Sequence, residues 1–156
     1  MKILVDGYNL IHAIPDLRGR LNEDLEETRN ALVVRLSSYA AREGVQIIVV
    51  FDGQGMSGQQ SGGMGNVRVR FSKAGQTADE VIKKTMDAKK RSDRMQVVTS
   101  DAEIRRFARL CSVPVIQSQK FVQLLSQSAS SPSQKSEPSL SSKEVDEWMR
   151  LFGKKQ

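Results

Sequence analysis

Three predicted strands of this chain each end in an aspartate, and this repeated ending constrains the fold more than any other feature. The three pairs are residues 3–5 with Asp6, residues 45–51 with Asp52, and residues 96–100 with Asp101. Short, nearly continuous apolar runs are typical of strands that are buried on both faces of a parallel sheet. Open α/β sheets bind their ligands at the carboxyl ends of such strands. We therefore expect three carboxylates at one edge of a sheet.

Between the first two strands the sequence predicts one long helix. Residues 10–22 are expected to form a loop, after which Asn22 caps a helix that Gly44 ends. Three leucines at helical spacing are expected to face the core: Leu25, Leu32 and Leu36. A strand, a helix and a second strand in this order make a βαβ unit, so the first two strands are predicted to be parallel.

Capping signals place two more helices in the second half of the domain. Thr77 and Glu80 form a capping box that opens a helix, and Ser100 and Glu103 form a second one. The second helix is expected to bury four apolar residues: Ile104, Phe107, Ala108 and Leu110. A short strand at 113–116 contains Pro114, which places it at an edge of the sheet.

The glycine-rich segment 53–66 begins with a sequence that matches the dinucleotide-binding pattern G-x-G-x-x-G. That pattern requires a helix to open at its third glycine, and here the segment continues as a glycine-rich loop. No nucleotide cofactor is therefore expected. A loop that closes over substrate and an ordinary surface connection both fit these residues.

The composition changes abruptly after residue 127. Residues 128–142 contain eight serines and two prolines with almost no apolar residues, which is typical of a linker that does not order itself. Residues 143–153 follow as an amphipathic helix that carries Trp148 on its apolar side. We therefore divide the chain into a domain at 1–127, a flexible linker and a C-terminal helix that docks on the domain or on a partner.

The formal net charge of +6 and the isoelectric point near 9.7 favour a polyanionic partner. His12 is the only histidine, which excludes histidine-rich metal sites and Ser-His-Asp chemistry. Cys111 is the only cysteine and is expected to be a buried thiol. Because no apolar run approaches the length of a membrane span, we expect a cytoplasmic protein with no membrane partner.

Several carboxylates at one sheet edge suit a hard cation, since Mg²⁺ and Mn²⁺ prefer oxygen ligands and offset like-charge repulsion. Asp79, in the first turn of the helix after Thr77, adds a fourth candidate ligand to Asp6, Asp52 and Asp101. Acids among basic residues favour phosphodiester hydrolysis by metal-activated water. Eight basic residues are predicted to bind the phosphate backbone of such a substrate: Arg68, Arg70, Lys73, Lys83, Lys84, Arg105, Arg106 and Arg109.

The chain resembles the NYN domains of the PIN-like nuclease superfamily, and specifically the YacP-like branch found in bacteria and plastids. Four pieces carry the resemblance, in order along the domain: residues 6–11, 50–53, 74–80 and 97–101. The resemblance implies an α/β, three-layer PIN-like fold with a mainly parallel central sheet flanked by helices. The C-terminal helix after the Ser-rich linker would be an addition to that fold.

The resemblance also implies a metal-dependent endoribonuclease that cleaves single-stranded RNA. Its acidic site corresponds to Asp6, Asp52, Asp79 and Asp101, which would hold Mg²⁺ or Mn²⁺. Asn9 would act in catalysis, and Glu80, Thr99 and Ser100 would support the ligands or hold a water or phosphate oxygen. An mRNA substrate met on the ribosome is implied more weakly, as is a plastid stroma location for a processed form.

Two other functions compete with this one at the level of sequence. In a non-catalytic RNA-binding module, Asp52 would merely start a turn, and Asp79 and Asp101 would merely sit at helix N-termini. That alternative stays open at the level of sequence. A small-molecule phosphohydrolase of the haloacid dehalogenase type is excluded, because it needs a second aspartate two residues after the first and that position is Tyr8.

Overall fold

The computed structural model of the protein describes residues 1–53, 62–90 and 92–130, which contain six strands and six helices. The strands are β1 (Lys2–Asp6), β2 (Gln46–Phe51), β3 (Gly62–Met64), β4 (Val67–Phe71), β5 (Met95–Val98) and β6 (Val115–Ile116). The helices are α1 (Gly7–His12), α2 (Pro15–Arg18), α3 (Leu25–Glu43), α4 (Ala78–Asp87), α5 (Ala102–Leu110) and α6 (Ser118–Ser130). The chain divides into two compact units, residues 1–122 and 123–156, and the contacts described below lie within the first.

All six strands form one sheet in the order β3-β4-β2-β1-β5-β6. β1 lies in the interior and is parallel to both neighbours, with Val5 opposite Val49 of β2 and Val98 of β5. β4 is parallel to β2 and β6 to β5, whereas β3 runs antiparallel to β4. The predicted α/β fold with a mainly parallel sheet is confirmed. Five strands thus present their carboxyl ends at one edge.

Helices cover both faces of the sheet, as the three-layer prediction requires. On one face Val50 of β2 packs in a buried core with Ile82 of α4 and Ile104 of α5. Phe51 points to the opposite face, because side chains alternate along a strand. There it contacts Tyr8 of α1 and lies beneath the guanidinium of Arg29 from α3.

The region predicted as a loop, residues 10–22, contains two short helices instead. α1 starts directly after Asp6, and α2 has Pro15 at its first position. Leu10 and Leu17 are fully buried, so packing against the core stabilises these turns. Helices of six and four residues are too short to show a helical period, which is why the sequence pattern missed them.

The start of α3 also differs from the prediction. Asp24 rather than Asn22 caps this helix, because its Oδ1 accepts the backbone amide of Glu27 at 3.0 Å. Leu25 is therefore the first helical residue and remains 42% exposed, so its predicted core position is wrong. Gly44 ends the helix in a left-handed conformation with φ of 67°, as predicted.

The capping box of Thr77 and Glu80 at the start of α4 is confirmed, with both reciprocal hydrogen bonds present. At α5 the predicted box is wrong, because the cap is Asp101 and not Ser100. The Asp101 carboxylate accepts two backbone amides of the first turn of α5. This aspartate therefore has a structural role as well as a candidate chemical one.

Three further details complete the comparison with the predicted elements. Leu110 is 79% exposed rather than buried, because the inward row of α5 runs through Ile104 and Ala108 and does not include it. β3 is a strand that the glycine-rich pattern concealed, since it lies within the segment 53–66 that was predicted to be a loop. β6 lies at the sheet edge, as Pro114 predicted.

The C-terminal predictions and part of the glycine-rich segment fall partly or wholly outside the described residues. α6 extends to Ser130, three residues into the predicted linker 128–142. The rest of that linker, the predicted helix 143–153 with Trp148, and residues 54–61 of the glycine-rich segment lie outside the described residues. None of the described helices has the length and apolar character needed to cross a bilayer.

The junction of β1 and α1 depends on the absence of a side chain at Gly7. A Cβ there would lie 2.5 Å from the Phe51 ring and 3.0 Å from the Val50 carbonyl oxygen. We expect Gly7→Ala to lower the free energy of unfolding by about 1–3 kcal/mol through overpacking. Gly19→Ala is the matched control, because the nearest atom to its Cβ would be 3.7 Å away. Urea unfolding checks both; equal midpoints for the two variants would contradict the prediction.

Candidate active site

The site is built around Asp6, which ends the interior strand β1. Asp6 lies opposite Val50 of β2 and shares its face of the sheet with Leu4, because side chains alternate along the strand. That face is the one covered by α4 and α5. The carboxylate therefore points toward the N-terminal ends of these two helices, where the sheet gives way to loops.

Asp79 and Asp101 come to Asp6 from those helices. Asp79 lies in the first turn of α4, and Asp101 is the cap of α5. The N-terminus of a helix carries partial positive charge, which favours carboxylates at both positions. Both act on Asp6 electrostatically, since their charges raise its pKa. The structure thus brings together three of the four predicted acids.

Thr99 connects Asp6 to Asp101. Its hydroxyl donates to Asp6 Oδ2 at 3.2 Å and accepts the backbone amide of Asp101 at 3.0 Å. The Thr99 side chain is fully buried at the end of β5, so its hydroxyl has little freedom to turn elsewhere. This bridge fixes the Asp6 carboxylate relative to the start of α5.

Asn9 and Ser100 make a second connection across the same edge. Asn9 Oδ1 accepts the backbone amide of Ser100 at 2.9 Å and the Ser118 hydroxyl at 2.6 Å. The Ser100 hydroxyl in turn donates to Gln119 Oε1 at 2.9 Å. The Asn9 side-chain oxygen therefore joins α1, the end of β5 and the start of α6, which is a structural contribution that the sequence did not predict.

Burial raises the pKa of Asp6 to about 6, because the charged form loses solvation. The Thr99 hydrogen bond opposes this rise, and the negative charges of Asp101 and Asp79 add to it. Burial also raises the pKa of Asp79, while the ammonium of Lys83 acts in the opposite direction. The edge therefore holds more negative charge than its surroundings balance.

Lys83 is the one predicted RNA-binding residue that lies within this acidic group. Its Nζ is 2.6 Å from Glu103 Oε2 and 3.5 Å from Asp79 Oδ2, so it joins α4 to α5. It also lies over the ring of Phe107 at 5.8 Å. Because it contacts two carboxylates, this ammonium neutralises part of the negative charge of the acidic group.

Asp52, the fourth predicted acid, lies at the end of β2 on the β4 side of Asp6. Its Oδ1 accepts the Ser72 hydroxyl at 3.2 Å, and Ser72 Oγ also accepts the Gly53 amide at 2.9 Å. Asp52 thus belongs to the same edge but is fixed by the neighbouring strand. Glu80, predicted to support the ligands, instead uses its Oε1 to accept the Thr77 amide in the capping box.

Arg29, for which the sequence predicted no role, is only 6% exposed. Its guanidinium donates to the Tyr8 hydroxyl at 3.1 Å and lies over the rings of Phe71 and Phe51 at 5.2 and 5.9 Å. It forms no ion pair with a carboxylate among the residues that the structure describes. A buried cation stacked on the two aromatic residues that precede Ser72 and Asp52 holds these strand ends in place. An arginine in a helix gives no sequence signal for this role.

The oxygen atoms of these carboxylates suit a divalent cation, but the carboxylates alone do not complete its coordination shell. Asp79 Oδ1 is buried and has no hydrogen-bond partner among the described residues, and Asp6 carries a raised pKa. Within the same residues, no three Asp, Glu, His or Cys side chains lie close enough to share one ion. Mg²⁺ commonly uses one or two carboxylates and completes its shell with water and substrate phosphate. The donor set suits that mode of binding.

The other predicted RNA-binding residues lie outside the acidic edge. Arg68 and Arg70 alternate on β4 and are exposed, Lys73 follows that strand, and Lys84 is exposed on α4. Arg105 and Arg109 of α5 line a shallow pocket of about 360 Å³ beside β6, and Arg106 is exposed on the same helix. Basic side chains therefore flank the acids on both sides, along β4 and along α5.

Comparisons with known proteins bear on the family and the fold of this chain. A family model described as "YacP-like NYN domain" matches residues 3–151. The protein YacP of Bacillus subtilis (strain 168), described as uncharacterized, is 37% identical over 101 residues, which are 64% of this chain and 59% of that protein. The chain thus matches less than two thirds of the length of this relative.

Two crystal structures of Rae1 (YacP) from Bacillus subtilis are similar in fold. One has a TM-score of 0.70 and 29% sequence identity, and the match covers 83% of this chain and 75% of the other. The second, a singly substituted form, has a TM-score of 0.70 and 26% identity, with coverage of 82% and 76%. The three-layer PIN-like fold predicted from the sequence is thereby confirmed.

The raised pKa of Asp6 predicts a stability change with pH in metal-free protein. Because the folded-state pKa of about 6 exceeds the ordinary aspartate value of 3.8, the folded protein loses stability as the pH rises from about 4 to about 6. Asp6→Asn removes this loss, so in EDTA the variant should be more stable than the parent at about pH 8, by up to about 3 kcal/mol. At about pH 4 the difference should vanish. Thermal or urea unfolding at both pH values measures it.

Asp16→Asn is the control with the opposite sign. The hydrogen bond from Arg35 lowers the pKa of Asp16, and the two side chains form an exposed ion pair at 2.5 Å. Its neutralisation should therefore slightly destabilise the protein at about pH 8. If Asp6→Asn were instead destabilising at both pH values, ionised Asp6 would not lower the stability of the folded protein and the prediction would be wrong.

Proposed function

The chain belongs to the YacP-like NYN domain family of PIN-like nucleases, and from that premise we propose that it is a metal-dependent endoribonuclease acting on single-stranded RNA. One observation supports the proposal most. Asp6, Asp79 and Asp101 repel one another at the carboxyl edge of the sheet, and an oxygen of Asp79 has no partner among the described residues. A helix cap or a turn residue has no need of such a cluster.

In this proposal Mg²⁺ or Mn²⁺ is held by one or two carboxylates of the group Asp6, Asp79 and Asp101, with Asp52 beside them, and by water and substrate phosphate. When bound, the ion supplies a water of lowered pKa and offsets charge on the scissile phosphate. A bound cation also offsets the repulsion among these carboxylates, so that the acidic edge can bind a phosphate once the ion is present. The precise ligand set and the number of ions belong to the proposal.

The residues around the acids orient them and favour an anionic substrate. The Thr99 hydroxyl holds Asp6 Oδ2, and Asn9 keeps the Ser100 segment against α1. The N-terminal ends of α4 and α5 point at the edge and lend positive potential to it. Lys83 lies between Asp79 and Glu103 and limits the negative charge that an approaching phosphate meets.

We propose RNA as the substrate. More specifically, we propose an mRNA that the protein meets on the ribosome in the cytoplasm. The formal net charge of +6 and the basic residues on β4, α4 and α5 support a polyanionic substrate. The mRNA and ribosome parts rest on the family resemblance alone. They are separable from the ribonuclease activity, which purified RNA is enough to test.

A non-catalytic RNA-binding module remains the second candidate. It is favoured by the structural duties that two of the predicted site residues perform. Asp101 caps α5, and Glu80 completes the capping box of α4. In that function the basic surfaces bind RNA, but no metal-dependent cleavage accompanies binding.

Asp6→Asn separates these two functions. With labelled single-stranded RNA and Mn²⁺, we expect the parent to cleave and EDTA to stop it. The variant should lose about 10³-fold in cleavage rate, the scale of losing a group that stabilises transition-state charge, while RNA affinity in EDTA stays within about twofold. Asp16→Asn, on the exposed ion pair with Arg35, should cleave like the parent. Binding without any Mn²⁺-dependent cleavage by the parent would favour the second candidate.

The salt dependence of RNA binding tests the basic surfaces. If about four of the predicted cationic residues contact phosphates, a plot of log K against log salt concentration should have a slope near −3, or roughly −0.7 per contact. Neutralising both Arg105 and Arg109, which line the pocket beside β6, should reduce the slope by about 1.4 if both contact RNA. Fluorescence anisotropy in EDTA gives these values. Affinity that does not change with salt would remove the basic surfaces from the interface.

A further inference from the structure

A basic groove of about 570 Å³ runs between α4 and the sheet, on the face that also carries Asp6. Five cationic side chains line it: Lys2, Arg70, Lys73, Lys84 and Lys89. Among the described residues in its lining, Asp93 is the only acid, and its Oδ2 accepts the backbone amide of Lys90 at 2.9 Å. Three of these cations were predicted to bind RNA from the sequence, and Lys2 and Lys89 were not.

None of the five cations of this groove forms an ion pair with a described residue. The ion pairs among the described residues join Arg35 to Asp16, and Lys83 to Asp79 and Glu103. Like charges on concave walls strengthen the local potential and attract a polyanion. A groove of this charge costs stability unless an anionic partner occupies it.

The two ends of the groove lie at the carboxyl ends and at the amino ends of the strands. At one end Phe71 pairs with Phe51, directly before Ser72 and the Asp52 to which Ser72 donates. At the other end Lys2 lies at the start of β1, about 13 Å from Asp6 along the strand. The groove therefore leads away from the acidic edge to the amino-terminal edge of the sheet.

The floor of the groove is apolar, which specifies more than charge alone. Ile48 and Val81 line it between the cationic side chains, whereas the Phe71 ring lies on the opposite face of the sheet under the Arg29 guanidinium. Unpaired bases pack on apolar surfaces, while lysine and arginine contact the phosphates that alternate with them. In a duplex the bases already stack on each other, so this floor suits a single strand.

We propose that this groove binds the flank of a single-stranded RNA whose scissile phosphate lies at the acidic edge. The inference rests on the proposed ribonuclease function and adds the path of the substrate across the protein. The strand leaves the edge beside Asp52 and passes along β4 and α4. It then reaches Lys2 and Lys89 at the far end. RNA long enough to fill the groove gains affinity that a short RNA does not.

The test reverses charge at the far end of the groove, away from the proposed catalytic residues. The variant is Lys2→Glu with Lys89→Glu, and the control is Arg18→Glu with Lys120→Glu, which makes the same charge change at exposed positions outside the groove. Anisotropy in EDTA measures binding of oligouridylates of about 4 and about 16 nucleotides. Circular dichroism checks folding, and Lys2→Gln with Lys89→Gln is the milder version.

We expect the groove variant to lose about tenfold or more in affinity for the long RNA and less than about twofold for the short one. The control should bind both like the parent. Equal losses in variant and control, or equal losses for both lengths, would overturn the proposal. So would a duplex of the long length that binds as tightly as the single strand.

Cleavage of the short RNA with Mn²⁺ is measured in parallel, to keep the two proposals apart. The groove variant should cleave the short RNA at the parent rate, because its substitutions lie away from the acids. A parent that never cleaves, but shows the length-dependent loss, would remove the ribonuclease function and keep the groove as an RNA-binding surface. Cleavage without the length-dependent loss would do the reverse.

Discussion

The burial of the Asp6 carboxylate is the constraint on which the rest of the site depends. β1 lies inside the sheet, so its last side chain, Asp6, faces α4 and α5 and is largely removed from solvent. Charge there is costly, and the nearby acids increase the cost. The protein retains the arrangement through Thr99 and through helix N-termini that tolerate negative charge. Carboxylates whose pKa is shifted by burial and by neighbouring charges cluster at functional sites.

The negative edge and the positive groove are consequences of one topology. Parallel strands gather their carboxyl ends on one side, which concentrates the aspartates there. α4 crosses the same face with Asp79 in its first turn and Lys84 further along, and Lys89 follows just after the helix ends. One helix therefore contributes acid to the candidate catalytic edge and base to the groove that leads from it. A strand of phosphates meets both surfaces in succession.

Local signals were read correctly where a few neighbouring residues decide the outcome. The capping box at Thr77 and the left-handed stop at Gly44 both depend on residues three or four positions apart. The same kind of reading failed where two cap residues competed. Asn22 and Ser100 are good caps by type, but the structure uses Asp24 and Asp101. Which of two nearby polar residues caps a helix depends on where tertiary packing starts that helix.

The sequence by itself determined the family, the parallel α/β fold and the aspartates at the ends of β1 and β2, because apolar runs and strand ends are local patterns. Only the tertiary structure decided which groups interact. It coupled Asp6 to Asp79 and Asp101, and it placed Lys83 between two carboxylates. It also buried Arg29 and joined Lys2 to α4 in one groove. The physical reason is that charge, burial and hydrogen bonding act through space, between residues that are far apart in the chain.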